Sequence, residues 1–275
     1  MEFLQLTAAD GATTTICHQG AHVCSWIPAG GTEQLFMSKA SAFRQGVAIR
    51  GGIPLIFPQF SGLGSLPKHG FARTADWQLR QQRVDSDGAA LAVFSLKENI
   101  ASLTLWPHVF EAELTVRVLG QALEVTFSVR NTGDTAFSFT SALHTYLALD
   151  DIRQARLHGL QGTEYRDTVS GQEHCPETSP ALEINGETDR IYANVPATLT
   201  LAQPQQRLQI TSIGFPDAVV WNPGATGAVK ISDLEPGGEQ RMLCVEAAAV
   251  LHPVQLLPGQ QWNGSQRLMR LPPQD

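Results

Sequence analysis

The sequence predicts an all-β protein built from antiparallel sheets. Apolar and polar residues alternate along residues 113–118 and again along 123–130, with the turn candidate Gly120-Gln121 between the two segments. Alternation with a period of two is typical of strands that bury one face, and the short turn predicts a hairpin. Helical periodicity is scarce, and 24 glycines and 16 prolines suit a chain of many strands and turns.

Further segments of the same character are expected to form strands. They lie at residues 13–17, 22–27, 77–84, 89–96, 137–149, 198–202, 208–213, 219–221 and 242–250. Consecutive strands without intervening helices favour stacked antiparallel sheets over βαβ units. No Ser/Gly-rich or charged linker divides the chain, so we expect a single domain over residues 1–275.

Composition excludes several classes of protein. Hydrophobic residues make up 43% and charged residues 16% of the chain, which argues against disorder. A net charge of −7 argues against nonspecific nucleic-acid binding, so an anion site would need a few locally placed cations. We expect no signal peptide, no membrane span and no membrane partner. The expected protein is a cytoplasmic monomer.

The four cysteines show neither CxxC pairs nor the spacing of structural zinc sites, which favours free thiols. His18 and His22 are four residues apart, but no helical pattern places them on one face, so we expect no metal site. Nucleotide-binding glycine motifs and a GxSxG nucleophile motif are also absent from the sequence. We therefore expect no cofactor.

Residues 44–73 form a long segment rich in glycine and proline. Its cationic and imidazole side chains are Arg44, Arg50, Lys68, His69 and Arg73. A loop of this length inside a compact domain is more often functional than not. Arg50 precedes Gly51-Gly52, and glycines let a backbone approach a ligand closely while a guanidinium binds phosphate bidentately. The alternatives are that Arg50 only pins the loop and that residues 68–73 form a solvated turn.

Two acid/base residues lie in β-like segments. His144 follows the alternating residues 137–143, and Glu246 lies within the apolar segment 242–250. Histidine is well suited to proton transfer near neutral pH, and a carboxylate in an apolar strand needs a partner or a use. The alternatives are a histidine bonded to a neighbour in the sheet and a glutamate in a structural salt bridge.

Two aspartates have both a structural and a ligand-binding interpretation. Asp189 precedes the β-like Ile191-Tyr192, and Asp217 follows Phe215-Pro216. A turn residue is the simpler interpretation of each, because Asp is common in turns. A carboxylate also accepts hydrogen bonds from sugar hydroxyls, which leaves sugar binding open for Asp189. For Asp217 we favour the structural role.

Several segments, in order along nearly the whole chain, resemble the aldose 1-epimerase (galactose mutarotase-like) superfamily, and within it the hexose-6-phosphate mutarotase branch. They are residues 20–26, 49–60, 66–73, 143–146, 188–192, 217–223 and 244–247. The most specific are Arg50-Gly51-Gly52-Ile53-Pro54 and His69-Gly70-Phe71-Ala72-Arg73. Two positions depart from the family pattern: Lys68 replaces an expected glutamine, and Gly224 replaces a common tryptophan.

The resemblance implies an antiparallel β-supersandwich with a cleft on one sheet. It implies that His144 and Glu246 are the catalytic pair. Arg50 and Arg73 would lie near a phosphate, with Asp189 near the sugar and Lys68 and His69 also in the site. The implied reaction interconverts the α and β anomers of a hexose 6-phosphate, with D-glucose 6-phosphate expected.

Two alternatives remain at this point. The first is a noncatalytic sugar-phosphate-binding or regulatory protein on the same fold, since fold does not determine function. A pure binder has no need for both His144 and Glu246. The second is a mutarotase for unphosphorylated aldoses, against which Arg50 and Arg73 argue.

Overall fold

The computed structural model describes residues 1–272. In chain order the strands are β1 (Phe3–Thr7), β2 (Thr13–Cys17), β3 (His22–Ile27), β4 (Leu55–Ile56), β5 (Gln78–Val84), β6 (Ala90–Lys97), β7 (Phe110–Leu119), β8 (Ala122–Asn131), β9 (Phe137–Leu143), β10 (Tyr146–Ala148), β11 (Arg156–His158), β12 (Glu164–Asp167), β13 (Gln172–Pro176), β14 (Ala181–Leu182), β15 (Thr188–Ala193), β16 (Thr198–Gln203), β17 (Gln206–Ile213), β18 (Asp217–Asn222), β19 (Met242–Leu256) and β20 (Gln261–Leu271). The α-helices are α1 (Ile100–Leu105) and α2 (Gly224–Ala228), and 3₁₀ turns lie at Ala72–Thr74, Ile152–Gln154 and Gly238–Arg241.

The strands form three antiparallel sheets. A small sheet has the order β1-β2-β3. An eight-stranded sheet has the order β13-β12-β15-β18-β19-β9-β4, with β10 also paired to β19. A nine-stranded sheet has the order β14-β11-β16-β17-β20-β8-β7-β6-β5. The prediction of an all-β protein with stacked antiparallel sheets is confirmed.

Most of the predicted strands are observed, with bounds that differ by a few residues at the ends. The predicted strand 137–149 is instead divided into β9 and β10. Its backbone leaves the ladder where the N–H of His144 donates to the Pro54 carbonyl and the N–H of Thr145 donates to the Leu143 carbonyl. The division therefore falls at a candidate catalytic residue.

Strand β20 was not predicted, because its buried positions are not apolar. Gly264 and Gln266 face the interior together with Leu268, so apolar and polar residues do not alternate. Gln266 is 2% exposed, and its side chain donates to the Val245 carbonyl and accepts from the Thr145 hydroxyl. Because a buried polar residue with satisfied hydrogen bonds occupies an inward position, this strand shows no alternating hydrophobicity pattern.

The core lies between the large sheets and includes side chains from the small one. Its centre is Phe57, whose ring makes edge contacts with five aromatic rings at centroid distances of 5.2 to 6.1 Å. Those rings are Phe71, Trp106, Phe110, Phe127 and Phe139. Phe57 belongs to the long segment 44–73, so this buried ring anchors that segment to strands of both large sheets.

No helix within residues 1–272 is long and apolar enough to span a bilayer. The cysteines Cys17, Cys24, Cys175 and Cys244 are free thiols, as the spacing predicted.

Asp217 is structural, as we favoured, but it begins strand β18 and is not a turn residue. Its carboxylate is fully buried and accepts the backbone N–H groups of Val250, Leu251 and His252 and the ring nitrogen Nδ1 of His252. The register of β19 against β9 shifts between Ala249 and Val254. Asp217 therefore supplies the acceptor that the irregular backbone of β19 lacks.

We expect Asp217→Ala to lower the free energy of unfolding by about 2–3 kcal/mol, because buried N–H groups lose their acceptor. His252→Ala is the matched control. It removes a side chain that is 46% exposed and leaves the Asp217 carboxylate in place as acceptor for the backbone N–H groups. The free energy of unfolding should therefore fall by about 1 kcal/mol or less. Urea denaturation followed by intrinsic fluorescence measures both. Equal effects would contradict the anchoring role.

Candidate active site

The candidate site is built on one face of the eight-stranded sheet. Asp189 of β15 pairs with Trp221 of β18, Trp221 pairs with Cys244 of β19, and Cys244 pairs with Tyr146 of β10. Directly paired residues of antiparallel strands project to the same side of the sheet. Of this row, Asp189 and Trp221 line the cleft, and Cys244 and Tyr146 are buried beside them.

Glu246 lies in the adjoining row. It follows Cys244 by two residues on β19, which places both side chains on the same face. Its partner across the ladder is Val219, which in turn pairs with Ile191. The carboxylate thus projects from the middle of a strand whose neighbours on this face are mostly apolar.

The sheet register brings His144 level with Glu246. Leu143 pairs with Ala247 and Tyr146 pairs with Cys244, so the intervening residues place His144 opposite Glu246. The His144 Nε2 atom lies 3.4 Å from the Glu246 Oε1 atom. The sequence predicted these two residues as candidates, and the fold brings their side chains into contact.

Two aromatic rings hold the imidazole of His144. The ring of Tyr146 stacks on it at 4.8 Å with an interplanar angle of 12°, and Trp221 makes an edge contact at 5.9 Å. Tyr146 and Trp221 were not predicted as site residues. Tyr146 lies two residues after the candidate histidine, and Trp221 lies within the segment 217–223. Neither was singled out, because an aromatic residue in a strand is usually a core residue.

Burial shifts the pKa values of the pair in opposite directions. Burial raises the pKa of Glu246 well above 4.5, and the Asp189 carboxylate adds to this effect. Burial lowers the pKa of His144 well below 6.5, and nearby His69, Arg50 and Arg73 add to it. In both cases the charged form is disfavoured. Burial therefore favours the neutral form of each group.

The pair also has unused hydrogen-bonding capacity. Glu246 Oε2 and His144 Nδ1 are buried, and neither has a hydrogen-bond partner within residues 1–272. Buried polar atoms are nearly always paired, and exceptions often mark functional sites. The two unpartnered atoms therefore mark this pair as a candidate functional site.

Arg50 is oriented by two partners. Its Nη1 atom donates to the Tyr146 hydroxyl at 2.9 Å, and its Nε atom lies 3.1 Å from the Asp233 carboxylate. Tyr146 therefore contacts both the guanidinium and the imidazole of His144. Asp233 was not predicted, since an isolated Asp in a turn-rich segment carries no specific signal.

The adjacent Gly51-Gly52 serves a different purpose from the one suggested by the sequence. A Cβ atom on Gly51 would lie 2.4 Å from the Phe36 carbonyl oxygen, and one on Gly52 would lie 2.2 Å from the Val23 carbonyl oxygen. The glycines thus allow close approach to the protein's own backbone. They permit the loop to pack tightly behind Arg50.

The other cationic residues of the segment differ in their positions. Lys68 is exposed at the cleft, and the Nη2 atom of Arg73 donates to the Lys68 carbonyl at 3.0 Å. Arg73 is not among the residues that line the cleft, although its charge contributes to lowering the pKa of His69 and His144. Arg50, by contrast, lines the cleft directly.

Asp189 lies within β15 and not in a turn, so the turn interpretation was wrong. The hydrophobicity pattern missed the strand because Thr188, Asp189 and Arg190 precede its two apolar residues. Asp189 faces the cleft, and burial raises the pKa of its carboxyl group. The residues lining the cleft are Arg50, Phe60, Ser61, Lys68, His69, His144, Asp189, Val219, Trp221 and Glu246.

A family model described as Aldose 1-epimerase matches residues 2–269. The chain belongs to the aldose 1-epimerase family. A relative from Cenchrus ciliaris, named putative glucose-6-phosphate 1-epimerase, is 35% identical over 287 residues, covering 99% of this chain and 85% of its own length. A relative with the same name from Escherichia coli K12 is 35% identical over 235 residues, covering 84% of this chain and 77% of its own.

Solved structures agree with this assignment. A putative mutarotase from Salmonella typhimurium superposes with a TM-score of 0.87 at 29% identity, covering 95% of this chain and 88% of that one. A galactose 1-epimerase from Lactobacillus acidophilus has a TM-score of 0.71 over 99% of both chains at 14% identity, which shows a shared fold. The galactose mutarotase-like fold expected from the resemblance is confirmed, and the protein is a sugar epimerase of this family.

One departure from the family pattern has a local explanation. Gly224 has a φ angle of +58°, and a Cβ atom there would lie 2.5 Å from the backbone nitrogen of Glu187. A tryptophan at this position would therefore require a different backbone. Gly224 begins α2 and lies outside the residues that line the cleft.

We expect the His144 imidazole of the ligand-free protein to remain neutral from pH 8 to pH 6. A free imidazole with a pKa near 6.5 would be mostly protonated at pH 6, whereas burial lowers the pKa of His144 well below that value. ¹⁵N NMR of histidine-labelled protein measures this, with His144→Asn identifying the signals. Imidazolium signals at pH 7 would contradict the neutral pair.

Proposed function

We propose that the protein interconverts the α and β anomers of a hexose 6-phosphate, with D-glucose 6-phosphate as the preferred candidate. The observation that supports this most directly is the buried His144–Glu246 contact, in which Glu246 Oε2 and His144 Nδ1 lack partners within residues 1–272. Arg50 and Lys68 line the same cleft. A proton-transfer pair beside a group of cations suits a sugar that carries a phosphate.

The proposed reaction opens and recloses the sugar ring. Glu246 accepts the proton of the anomeric hydroxyl, and the electron pair of that O–H bond forms the carbonyl at C1. The bond between C1 and the ring oxygen breaks, and the ring oxygen takes a proton from His144. Rotation about the C1–C2 bond and closure with reversed proton roles give the other anomer. Such acid/base assistance is typically worth about 10²–10⁴-fold in rate.

This mechanism requires the proton of the pair to be on His144 when the substrate reacts. The neutral ligand-free pair and the ion pair hold the same number of protons, so only the position of one proton differs. Arg50 and Arg73 are among the charges that lower the pKa of His144. A phosphate dianion bound at Arg50 would offset the charge of both arginines and favour the imidazolium form.

The remaining assignments follow the chemistry of each group. Arg50 and Lys68 bind the phosphate, Arg73 adds positive charge near it, and Asp189 accepts hydrogen bonds from sugar hydroxyls. His69, with one ring nitrogen free of protein hydrogen bonds within the described chain, contacts a substrate oxygen. Two relatives named putative glucose-6-phosphate 1-epimerase support a phosphorylated substrate. A binder without activity would gain nothing from placing two proton-transfer groups in contact.

We expect Glu246→Gln and His144→Asn each to reduce the rate of anomer exchange by at least about 10²-fold, because each removes one proton-transfer group. Exchange spectroscopy by NMR on glucose 6-phosphate measures the rate, and circular dichroism checks the fold. A control variant should not alter the buried core, which rules out Gln266→Glu. Glu164→Gln, an exposed carboxylate on β12, is the matched control and should retain full activity. Near-normal exchange in a folded variant would remove that residue from the mechanism.

We expect Arg50→Ala to raise the Michaelis constant for glucose 6-phosphate by about 10- to 100-fold and to change exchange of glucose much less. Hydrogen bonds to charged groups contribute roughly 1.5–3 kcal/mol each. Arg73→Ala should act in the same direction. Arg153→Ala, which removes an 81% exposed arginine, is the control. A proportional loss on both substrates would indicate that Arg50 supports the site without recognising phosphate.

A further inference from the structure

Gln59 is not among the residues that line the cleft. The residue is 5% exposed, yet its side-chain amide is fully engaged. Its Nε2 atom donates to the carbonyls of Ser61 at 3.1 Å and Leu66 at 3.0 Å, and its Oε1 atom accepts the Leu66 N–H at 2.9 Å. One buried side chain thus holds both ends of the loop of residues 61–66.

That loop has few other constraints. It contains no helix or strand, and residues 62–65 are exposed. The chain leaving it carries Lys68 and His69 to the cleft. His69 adopts a φ angle of +69°, a region that residues other than glycine occupy at an energetic cost. The neighbouring contacts must therefore favour this conformation over the alternatives.

Ser61 links the loop to His69. The N–H of His69 donates to the Ser61 carbonyl at 2.9 Å, and the N–H of Ser61 donates to the His69 Nδ1 atom at 3.2 Å. The Ser61 carbonyl therefore accepts from both His69 and Gln59. Movement of Ser61 would break both of its contacts with His69.

These contacts determine the chemical form of His69. A backbone N–H is only a donor, so Nδ1 must be an acceptor and the ring hydrogen is on Nε2. Burial, with Arg73, Lys68 and Arg50 nearby, lowers the pKa of His69 to about 3, which also favours the neutral ring. The Nε2 atom makes no hydrogen bond to any residue in the 1–272 range, and the ring lines the cleft beside His144. His69 therefore presents a neutral N–H donor to a ligand.

We propose that Gln59 is a positioning residue: its amide fixes the loop of residues 61–66 and, through Ser61, holds His69 as a neutral donor in the cleft. The expected effect on activity rests on the function proposed above. The effect on the His69 ring does not, because it follows from the hydrogen bonds alone. The two can therefore fail separately.

Two glycines of the loop provide a matched pair of variants. A Cβ atom at Gly64 would lie 2.3 Å from the Oε1 atom of Gln59, whereas a Cβ atom at Gly62 would meet no atom within 4 Å. Neither glycine has a φ angle in the left-handed region. Gly64→Ala should displace the amide of Gln59, and Gly62→Ala should leave it in place.

Gln59→Met is the direct test, since it keeps a side chain of similar length and removes the hydrogen bonds. Gln121→Met is its control, because the Gln121 amide holds a different loop through the Ala29 carbonyl at 2.8 Å. We expect Gln59→Met and Gly64→Ala to lower kcat/KM for glucose 6-phosphate by about tenfold or more, mostly through KM. Gln121→Met and Gly62→Ala should match the unmodified protein.

The second readout is the tautomer of His69, measured by long-range ¹H–¹⁵N NMR on the ligand-free protein. We expect the unmodified protein to show the Nε2–H form alone and Gln59→Met to show a mixture of forms, with His69→Asn identifying the signals. A pure Nε2–H form in folded Gln59→Met would overturn the proposal. So would equal effects of Gly62→Ala and Gly64→Ala on that ring. If the unmodified protein exchanged no glucose 6-phosphate, the proposed function would fail while the tautomer would still decide the role of Gln59.

Discussion

The site depends on one constraint: His144 and Glu246 are two ionisable side chains in contact inside a sheet, and each lowers the cost of burying the other. Antiparallel register places them opposite each other, since the pairs on either side share one alignment. A buried charge without a partner is expensive, so the pair is most stable with one shared proton and no net charge. The break between β9 and β10 falls at this point, where the His144 N–H donates to the Pro54 carbonyl.

The cations reach this pair on a segment that has little regular structure. Residues 44–73 contain only the two-residue strand β4 and one 3₁₀ turn, yet three buried contacts hold them. The Phe57 ring lies in the aromatic core, the His22 ring nitrogen Nε2 lies 2.8 Å from the Gly51 carbonyl, and the Gln59 amide bonds to the loop after it. The sheets thus supply the candidate catalytic pair, and the anchored loop supplies the charges and donors around it.

This division explains how far the sequence could predict the molecule. Strands with an apolar face show an alternating pattern, so β7, β8 and most of the central strands were predicted, and His144 and Glu246 stood out as exceptions to that pattern. Strands that bury polar residues, such as β20 with Gln266, do not show it. Contacts between side chains from distant segments, such as Arg50 with Asp233, have no pattern along the chain. The cationic segment was therefore predicted as a whole, while the partners of its members were not.

In the proposed function, Arg50 connects recognition of the substrate with placement of the proton. Its bonds to Asp233 and the Tyr146 hydroxyl use two of the five N–H donors of a guanidinium, which leaves three for a phosphate. Asp233 orients the arginine but offsets only part of the local positive charge, because Arg73 and Lys68 lie nearby. A phosphate on Arg50 would add negative charge beside the hydroxyl of Tyr146, whose ring stacks on His144. Since the repulsion from these cations is part of what keeps His144 neutral, binding the phosphate favours the imidazolium that ring opening requires. In the proposed reaction the group that distinguishes the substrate also prepares the acid, so a sugar without phosphate would meet a site in which the proton is still on the carboxyl group.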